Sequence, residues 1–392
     1  MDALTRAVQP PIVTTERERS IRKTHSAGRA AADDSPILHA AIGLAEQIRT
    51  ASDEIERGRR LPASIAAAMK QAGVFGMAMP RVWGGPELDL LTQFRVIEAL
   101  AMADASVGWC AMIGCDGGYV TAFLDQDVAR GMYPDLLVAT AAAATTTGQA
   151  VEVPGGYRVS GRFPFVSGCQ HCEWVWLGCI VVDNGVPRVD RNGVPETRQC
   201  VLSLSQCEIL DTWHTTRLRG TGSNDVVVHD EFVPEERTFS FQDPQLIKRS
   251  GSLYSFPFLF IAKGAAPALG IARHALDTLI ESAAAKPARR YTLGDRIETP
   301  KVLRDDVYVQ EEWDAQRRPS PRRARIISML WATCGQPCST VGSFPIGRLH
   351  SSPPPFRASS AFASRWCSLS TKLRAAGQSI RRGPLIAVCA TS

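Results

Sequence analysis

Residues 161–182, GRFPFVSGCQHCEWVWLGCIVV, join two apolar, β-rich runs through a polar corner, Ser167-Gly168-Cys169-Gln170-His171, that packing alone does not require. In an extended chain alternate side chains share a face, so Phe163 and Phe165 are expected on one side of the strand with Ser167 following them. Two aromatics and a hydroxyl in a row could supply what a planar, electron-accepting heterocycle needs, an apolar wall and a few polar groups that fix its edge. The same composition also suits an ordinary aromatic core strand followed by a turn. Cys169-x-x-Cys172, with His171 between, comes nearest to a metal cluster. A structural zinc would need a second ligand pair, and the candidate Cys334/Cys338 lies in a stretch of aberrant composition, so no metal site is expected.

The elements that would position this corner follow from periodicity. Residues 1–35 are polar and aperiodic and read as a disordered arm. From Ser35-Pro36, apolar residues recur at three- and four-residue spacing through Leu38, Ala41, Ile42, Ala45 and Ile48, behind a Ser-Pro helix start. A second helix is expected over residues 62–73 and a third from about Leu90 through Leu100. The Ala-rich stretch 101–123 offers small side chains that let helices approach closely. After Pro134 the period shortens. Short β-like runs at 157–160, 174–182, 201–204 and 226–232 are separated by turns, of which Asp183-Asn184-Gly185 and Arg191-Asn192-Gly193 carry the strongest signals. From about Tyr254 the helical period returns through Ile280.

The chain has 392 residues and 45% apolar content, ordinary for a globular protein of two or three domains. No apolar run approaches a membrane span, and the N-terminus lacks the apolar centre of a secretory signal, so the expected localisation is cytoplasmic. Several of the eleven cysteines sit in apolar runs, as small buried hydrophobes do. The net charge of +5 conceals an asymmetry. From Trp313 onward there are twelve Lys or Arg and one acid, Asp314, a net of +11, which leaves 32 basic and 38 acidic residues for the rest.

Three blocks, in order along the chain, resemble the acyl-CoA dehydrogenase superfamily and come closest to its flavin-dependent monooxygenase branch, of the group D type. The corner at Phe163-x-Phe165-x-Ser167-Gly168-Cys169 is similar to the segment beside the flavin in that branch. Residues 211–238, DTWHTTRLRGTGSNDVVVHDEFVPEERT, resemble the family's strand, turn and strand. Ala72-Gly73-Val74-Phe75, Pro80-x-x-Trp83-Gly84-Gly85 and residues 105–109 resemble its N-terminal helical domain. The resemblance runs from about residue 36 to about 312 and implies an α+β, acyl-CoA dehydrogenase-like fold. Its parts would be an N-terminal helical domain (36–140), a middle β-barrel or sandwich domain (141–240) and the start of a C-terminal helical bundle (250–312).

It further implies a flavin cofactor (FAD or reduced FMN/FAD), with Phe163, Phe165, Val166 and Ser167 lining the ring and Trp109 packed near it. Arg219 would stabilise the anionic reduced ring as the catalytic cation, and Arg290 would lie near the flavin phosphate. His171 and His214 match no position with family chemistry and are read as structural. The implied activity is a two-component-type monooxygenase that hydroxylates an aromatic or related small molecule with reduced flavin and oxygen, supplied by a flavin reductase partner. Acyl thioester oxidation is the alternative on the same fold. The segment where many hydroxylases place a His reads Cys115-Asp116-Gly117-Gly118 here.

Beyond Glu312 the resemblance ends. Residues 313–392 lose helical periodicity and carry clusters such as Arg317-Arg318-Pro319-Ser320-Pro321-Arg322-Arg323, the composition of a GC-rich gene read out of frame. With permissible codons, residues 385–392 read two nucleotides later give Asp-Arg-Cys-Leu-Arg-Asp-Ile, similar to the last helix of monooxygenase-branch relatives. A basic nucleic-acid-binding arm is the rival reading, but the tail has little aromatic interleaving and no recognition fold. The bundle supplies the homotetramer interface in the family, so the chain is expected to be a poor oligomer and a poor enzyme, or an inactive truncated remnant.

Overall fold

The computed structural model describes residues 34–242, 247–254 and 259–286, together with Val302 and Asp305. The helical part begins with α1 (Pro36–Gly43), α2 (Ala45–Gly58) and α3 (Ala63–Gln71). Pro36 sits in the first turn of α1, where a missing N–H costs nothing. Gly73, at φ 77°, stands just beyond α3, in a left-handed conformation that glycine adopts without strain.

Helices α4 (Leu90–Ala103) and α5 (Ala105–Gly114) are each started by an aspartate. Asp89 accepts from the Leu91 and Thr92 amides, and Asp104 from those of Ser106 and Val107. Small residues set their spacing. A methyl group on Gly108 would come 2.4 Å from Ala101 Cβ, so only glycine lets α5 lie this close to α4. The short α6 (Gly117–Val120) and α7 (Gln126–Met132) lead into the sheet.

The sheet holds β1 (Thr140–Val153), β2 (Gly156–Val166), β3 (Trp174–Asp183), β4 (Val186–Pro187), β5 (Thr197–Ser203), β6 (Glu208–Leu210), β7 (Asn224–Pro234) and β8 (Thr238–Phe239). Its order is β6-β7-β2-β1-β3-β5-β8, with β4 paired to β3. The pairings are antiparallel except that between β1 and β3, and the sheet curls so that β5 comes back against β7. Asn184 and Gly185 take positive φ in the β3–β4 hairpin, as Asn-Gly does in such turns.

Strand β1 has no counterpart among the β-like runs of the sequence. Its first eight residues, TAAAATTT, lack the large β-branched and aromatic residues that mark strands. It is a strand because it lies between β2 and β3, and small side chains admit the large ones of its neighbours. Phe163 of β2 fills the space over Gly148 of β1, where an added methyl would meet the Phe163 ring at 2.3 Å.

The last helix among the described residues, α8 (Ala265–Ala285), starts later than the period from Tyr254 suggests. Residues 252–254 and 259–264 form 3-10 turns instead. Helix α8 packs on α4, with Gly270 against the Glu98 carbonyl and Ala101. The main core runs from Leu38 and Ile48 through Val96, Ile97 and Val107 to Phe163, Val175, Leu177 and Val226, so helices and sheet share it. Each such side chain contributes roughly 1.5–3 kcal/mol by leaving water.

Candidate functional site

At the end of β2 the register against β7 shifts between Phe163 and Val166, and Phe165 takes φ 61°. This bulge overturns the expectation that Phe163 and Phe165 share a side. Phe163 and Val166 are fully buried, whereas Phe165 is 68% exposed. Positive φ is uncommon for a bulky residue and costs on the order of 1 kcal/mol or more, so the local fold holds an aromatic ring outward against both strain and hydrophobicity. The Trp213 ring meets it edge-on, 6.1 Å between centroids.

Ser167 lies directly beneath. Its amide donates to the Phe165 carbonyl (2.9 Å), and the Gly168 amide donates to the Thr221 carbonyl (2.9 Å), which ties the corner to the loop between β6 and β7. The Ser167 hydroxyl belongs to a chain of hydrogen bonds with one consistent direction. Thr221 Oγ1 donates to the Leu218 carbonyl at 2.8 Å, which commits its proton. The 2.6 Å contact of Ser223 Oγ to Thr221 Oγ1 is then donated by Ser223, and the 2.7 Å contact of Ser167 Oγ to Ser223 Oγ by Ser167. Trp109 Nε1 of α5, which has a proton and no lone pair, donates to Ser167 Oγ at 2.9 Å. The Ser167 proton is therefore spent inward, and one lone pair is left to accept from a ligand.

The structure thus brings Trp109, Phe165 and Ser167 together and leaves Phe163 and Val166 in the core behind them. Arg219, on a 3-10 turn (Arg219–Thr221), places its Nε 3.9 Å from Glu56 of α2. Arg290 lies outside the described residues. His171 lies tilted against the Phe75 ring, 5.9 Å between centroids, and burial holds its imidazole down at about 4. His214 is exposed, within 3.8 Å of Asp211. No group of three or more His, Cys, Asp or Glu side chains among the described residues could hold a metal.

A second polar centre had no signal in the sequence beyond the unusual Cys115-Asp116. Lys263, just before α8, is fully buried and donates to Asp116 Oδ1 (2.6 Å), Cys115 Sγ (2.9 Å) and the Met112 carbonyl (3.3 Å). Its ammonium also lies 4.6 Å from the Tyr119 ring centroid. Burial alone would lower the Lys263 pKa, but the Asp116 carboxylate, with Cys115 and Tyr119, more than reverses this and holds the cation. Burial pushes the Cys115 thiol up to about 11, so it is no nucleophile at neutral pH. Asp116 and Tyr119 form one wall of an aromatic nest completed by Phe123, Trp176, Phe239, Phe241 and Phe260, around a cavity of about 10 Å³.

Residues 41–129 match the acyl-CoA dehydrogenase N-terminal domain family. The chain is 31% identical over 249 residues to the flavin-dependent monooxygenase, oxygenase subunit HsaA, of Rhodococcus jostii, covering 61% of this chain and 63% of that protein. It is 31% identical over 204 residues to the FADH(2)-dependent resorcinol hydroxylase, oxygenase component, of Rhizobium sp., covering 51% and 48%. In structure it is similar to XiaF from Streptomyces sp., solved in complex with FADH2 and glycerol, with a TM-score of 0.72, 20% identity, and 93% and 91% of the two chains covered. The chain spans less than two thirds of the length of these curated relatives. The fold is acyl-CoA dehydrogenase-like, as residues 72–85, 161–169 and 211–238 imply.

Proposed function

We propose that this chain is the oxygenase component of a two-component flavin-dependent monooxygenase, which hydroxylates an aromatic or related small molecule with reduced flavin and oxygen. The observation that carries the reading is the outward Phe165 ring above a Ser167 hydroxyl that can only accept. The fit to a reduced flavin is chemical. Its ring is flat and largely apolar, which suits the Phe165 and Trp213 wall, and its reduced edge carries an added N–H, which suits an acceptor with no proton to give. When bound, reduced flavin supplies the electron pair that activates oxygen.

The chain's own residues hold and orient. Trp109 fixes the Ser167 hydroxyl from the helical side, and Ser223 and Thr221 fix it from the sheet side. Phe165 and Trp213 keep water from one face of the ring. Asp116 is tied to Lys263 and is not free to remove a substrate proton. A separate reductase would deliver FADH2 or reduced FMN, and the homotetramer of the family would need the helical bundle that residues 313–392 do not continue.

Supplying the chain with a flavin reductase, NADH and a panel of phenols and indoles under ¹⁸O₂ tests this. One labelled oxygen per product molecule is expected. Consumption of NADH with no labelled product from any ring would overturn the proposal.

A further inference from the structure

Helix α2 ends on a residue that backbone preference does not explain. Arg59 follows Gly58 in the left-handed conformation, φ 52° and ψ 30°, which glycine adopts without strain and an L side chain takes uncommonly. The reason for an arginine here lies in its side chain. The guanidinium forks onto one carboxylate, Nη1 donating to Asp211 Oδ1 at 2.6 Å and Nη2 to Asp211 Oδ2 at 2.8 Å, and Nη1 also donates to the Trp213 carbonyl at 3.3 Å. Exposed ion pairs are weak as a class, and a two-pronged fork with a further bond to the backbone is the exception.

These bonds fall on the loop between β6 and β7, residues 211–223, which apart from the 3-10 turn at Arg219–Thr221 has no regular structure to fix it. The loop carries Trp213, the ring that stands edge-on to Phe165. Trp213 is anchored at three atoms. Its amide donates to Asn224 Oδ1 (3.0 Å), its Nε1 donates to the Leu218 carbonyl (3.0 Å), and its carbonyl accepts from Arg59. The first two tie the loop to the start of β7 and to itself, and the third ties it to the helices. Contact between α2 and the loop is close. A methyl on Gly220 would meet Ile55 Cγ2 at 2.1 Å, and one on Gly222 would lie 3.2 Å from the Arg59 carbonyl. The end of α2 seats the loop, and Arg59 is the polar part of that seat.

We infer that Arg59 is a positioning residue of the flavin site, an inference that rests on the flavin reading above. It acts through Trp213 and not on the cofactor. By fixing the Asp211 carboxylate and the Trp213 carbonyl it holds the Trp213 ring across Phe165, and the two rings then present one wall. Phe165 points outward from its strand, so a Trp213 that swings away leaves the wall half built. The helical part of the molecule, through α2, thereby sets an aromatic surface on the sheet.

The full chain labelled with 5-fluorotryptophan reports this ring by ¹⁹F NMR, its resonance assigned as the one missing from Trp213→Phe. Phe165→Leu should shift that resonance, because the fluorinated ring lies against the Phe165 ring. Arg59→Gly should shift or broaden it while the other tryptophan signals stay in place, and since glycine suits the left-handed position the thermal midpoint should change little. Asp211→Asn removes one partner without touching α2 and should move the resonance the same way. Arg59→Lys, which keeps the charge and loses the fork, should fall between. Arg158→Met, at an exposed residue paired with Asp230, is the control and should leave the resonance where it is.

Titration with reduced FMN supplies the second readout. Arg59→Gly and Asp211→Asn should each weaken binding about tenfold, and Arg59→Gly made in a Trp213→Ala chain should weaken it no further, since the ring it positions is gone. Losses that multiply in that double variant, or a Trp213 resonance unmoved by Arg59→Gly, would overturn the inference and leave the flavin reading standing. A folded chain that binds no flavin, but whose Trp213 resonance moves in Arg59→Gly, would end the flavin reading and support the positioning of the ring by Arg59 alone.

Discussion

Adjacent aromatics in one strand have opposite fates, and that contrast is the sharpest test at the scale of single residues. Phe163→Ala should cost about 3–5 kcal/mol in chemical denaturation, because it empties the space over Gly148. Phe165→Asp should stay within about 0.5 kcal/mol of wild type, since the ring is outside and aspartate tolerates positive φ, yet it should abolish flavin binding. Equal destabilisation by the two changes would mean that Phe165 is a core residue. The sequence makes this corner visible because Ser167-Gly168-Cys169 interrupts two apolar runs for no packing reason. What it conceals is the bulge. Strict alternation puts both rings on one face, and one residue of register shift reverses the outcome. The Ser167 partners Trp109 and Ser223 lie 58 and 56 residues away in the chain, so no local pattern reveals them.

Among elements, the first helices were legible from the Ser35-Pro36 start and the apolar period, whereas the aspartates that start α4 and α5, Asp89 and Asp104, went unread. Strand β1 was not, because alanine and threonine in a row carry no period, and its place between β2 and β3 overrides weak propensity. Nor was the link from α8 to α5. Lys263 bonds the Met112 carbonyl at the C-terminal end of α5 and the Asp116 carboxylate beyond it, so it pins the helix that carries Trp109. Lys263→Met should cost about 3–5 kcal/mol by stranding the Asp116 charge, and the double variant Lys263→Met/Asp116→Leu should recover most of that loss. If the double variant is no more stable than the single one, the pair is not what holds α8 to α5. A second element-level test concerns the corner's packing on Phe75. His171 has a folded pKa of about 4 against 6.5 when free, so the unfolded chain binds more protons between those values. Stability should be complete above pH 6.5 and decline toward pH 4, by about 2 kcal/mol for a partly accessible ring, and His171→Gln should flatten that slope in denaturation curves taken across the range.

For the molecule as a whole, the order of the three blocks made the acyl-CoA dehydrogenase-like fold readable, and the tail from Trp313 onward lies outside the described residues. We propose that a frameshift near Trp313 replaced the rest of the C-terminal bundle. Restoring the shifted frame should then convert a poorly assembling chain into a homotetramer by light scattering and tighten flavin binding in the same step. A monodisperse tetramer with stoichiometric flavin from the unrepaired chain would refute it. The claim on which all else depends is that the Phe165, Ser167 and Trp109 surface selects reduced flavin. Anaerobic titration of the chain with reduced and oxidised FMN, followed by tryptophan fluorescence, measures that selection. The account predicts saturable quenching that is tighter for the reduced form and is lost in a folded Phe165→Asp variant. Affinity equal for the two redox states and indifferent to Phe165→Asp would contradict it.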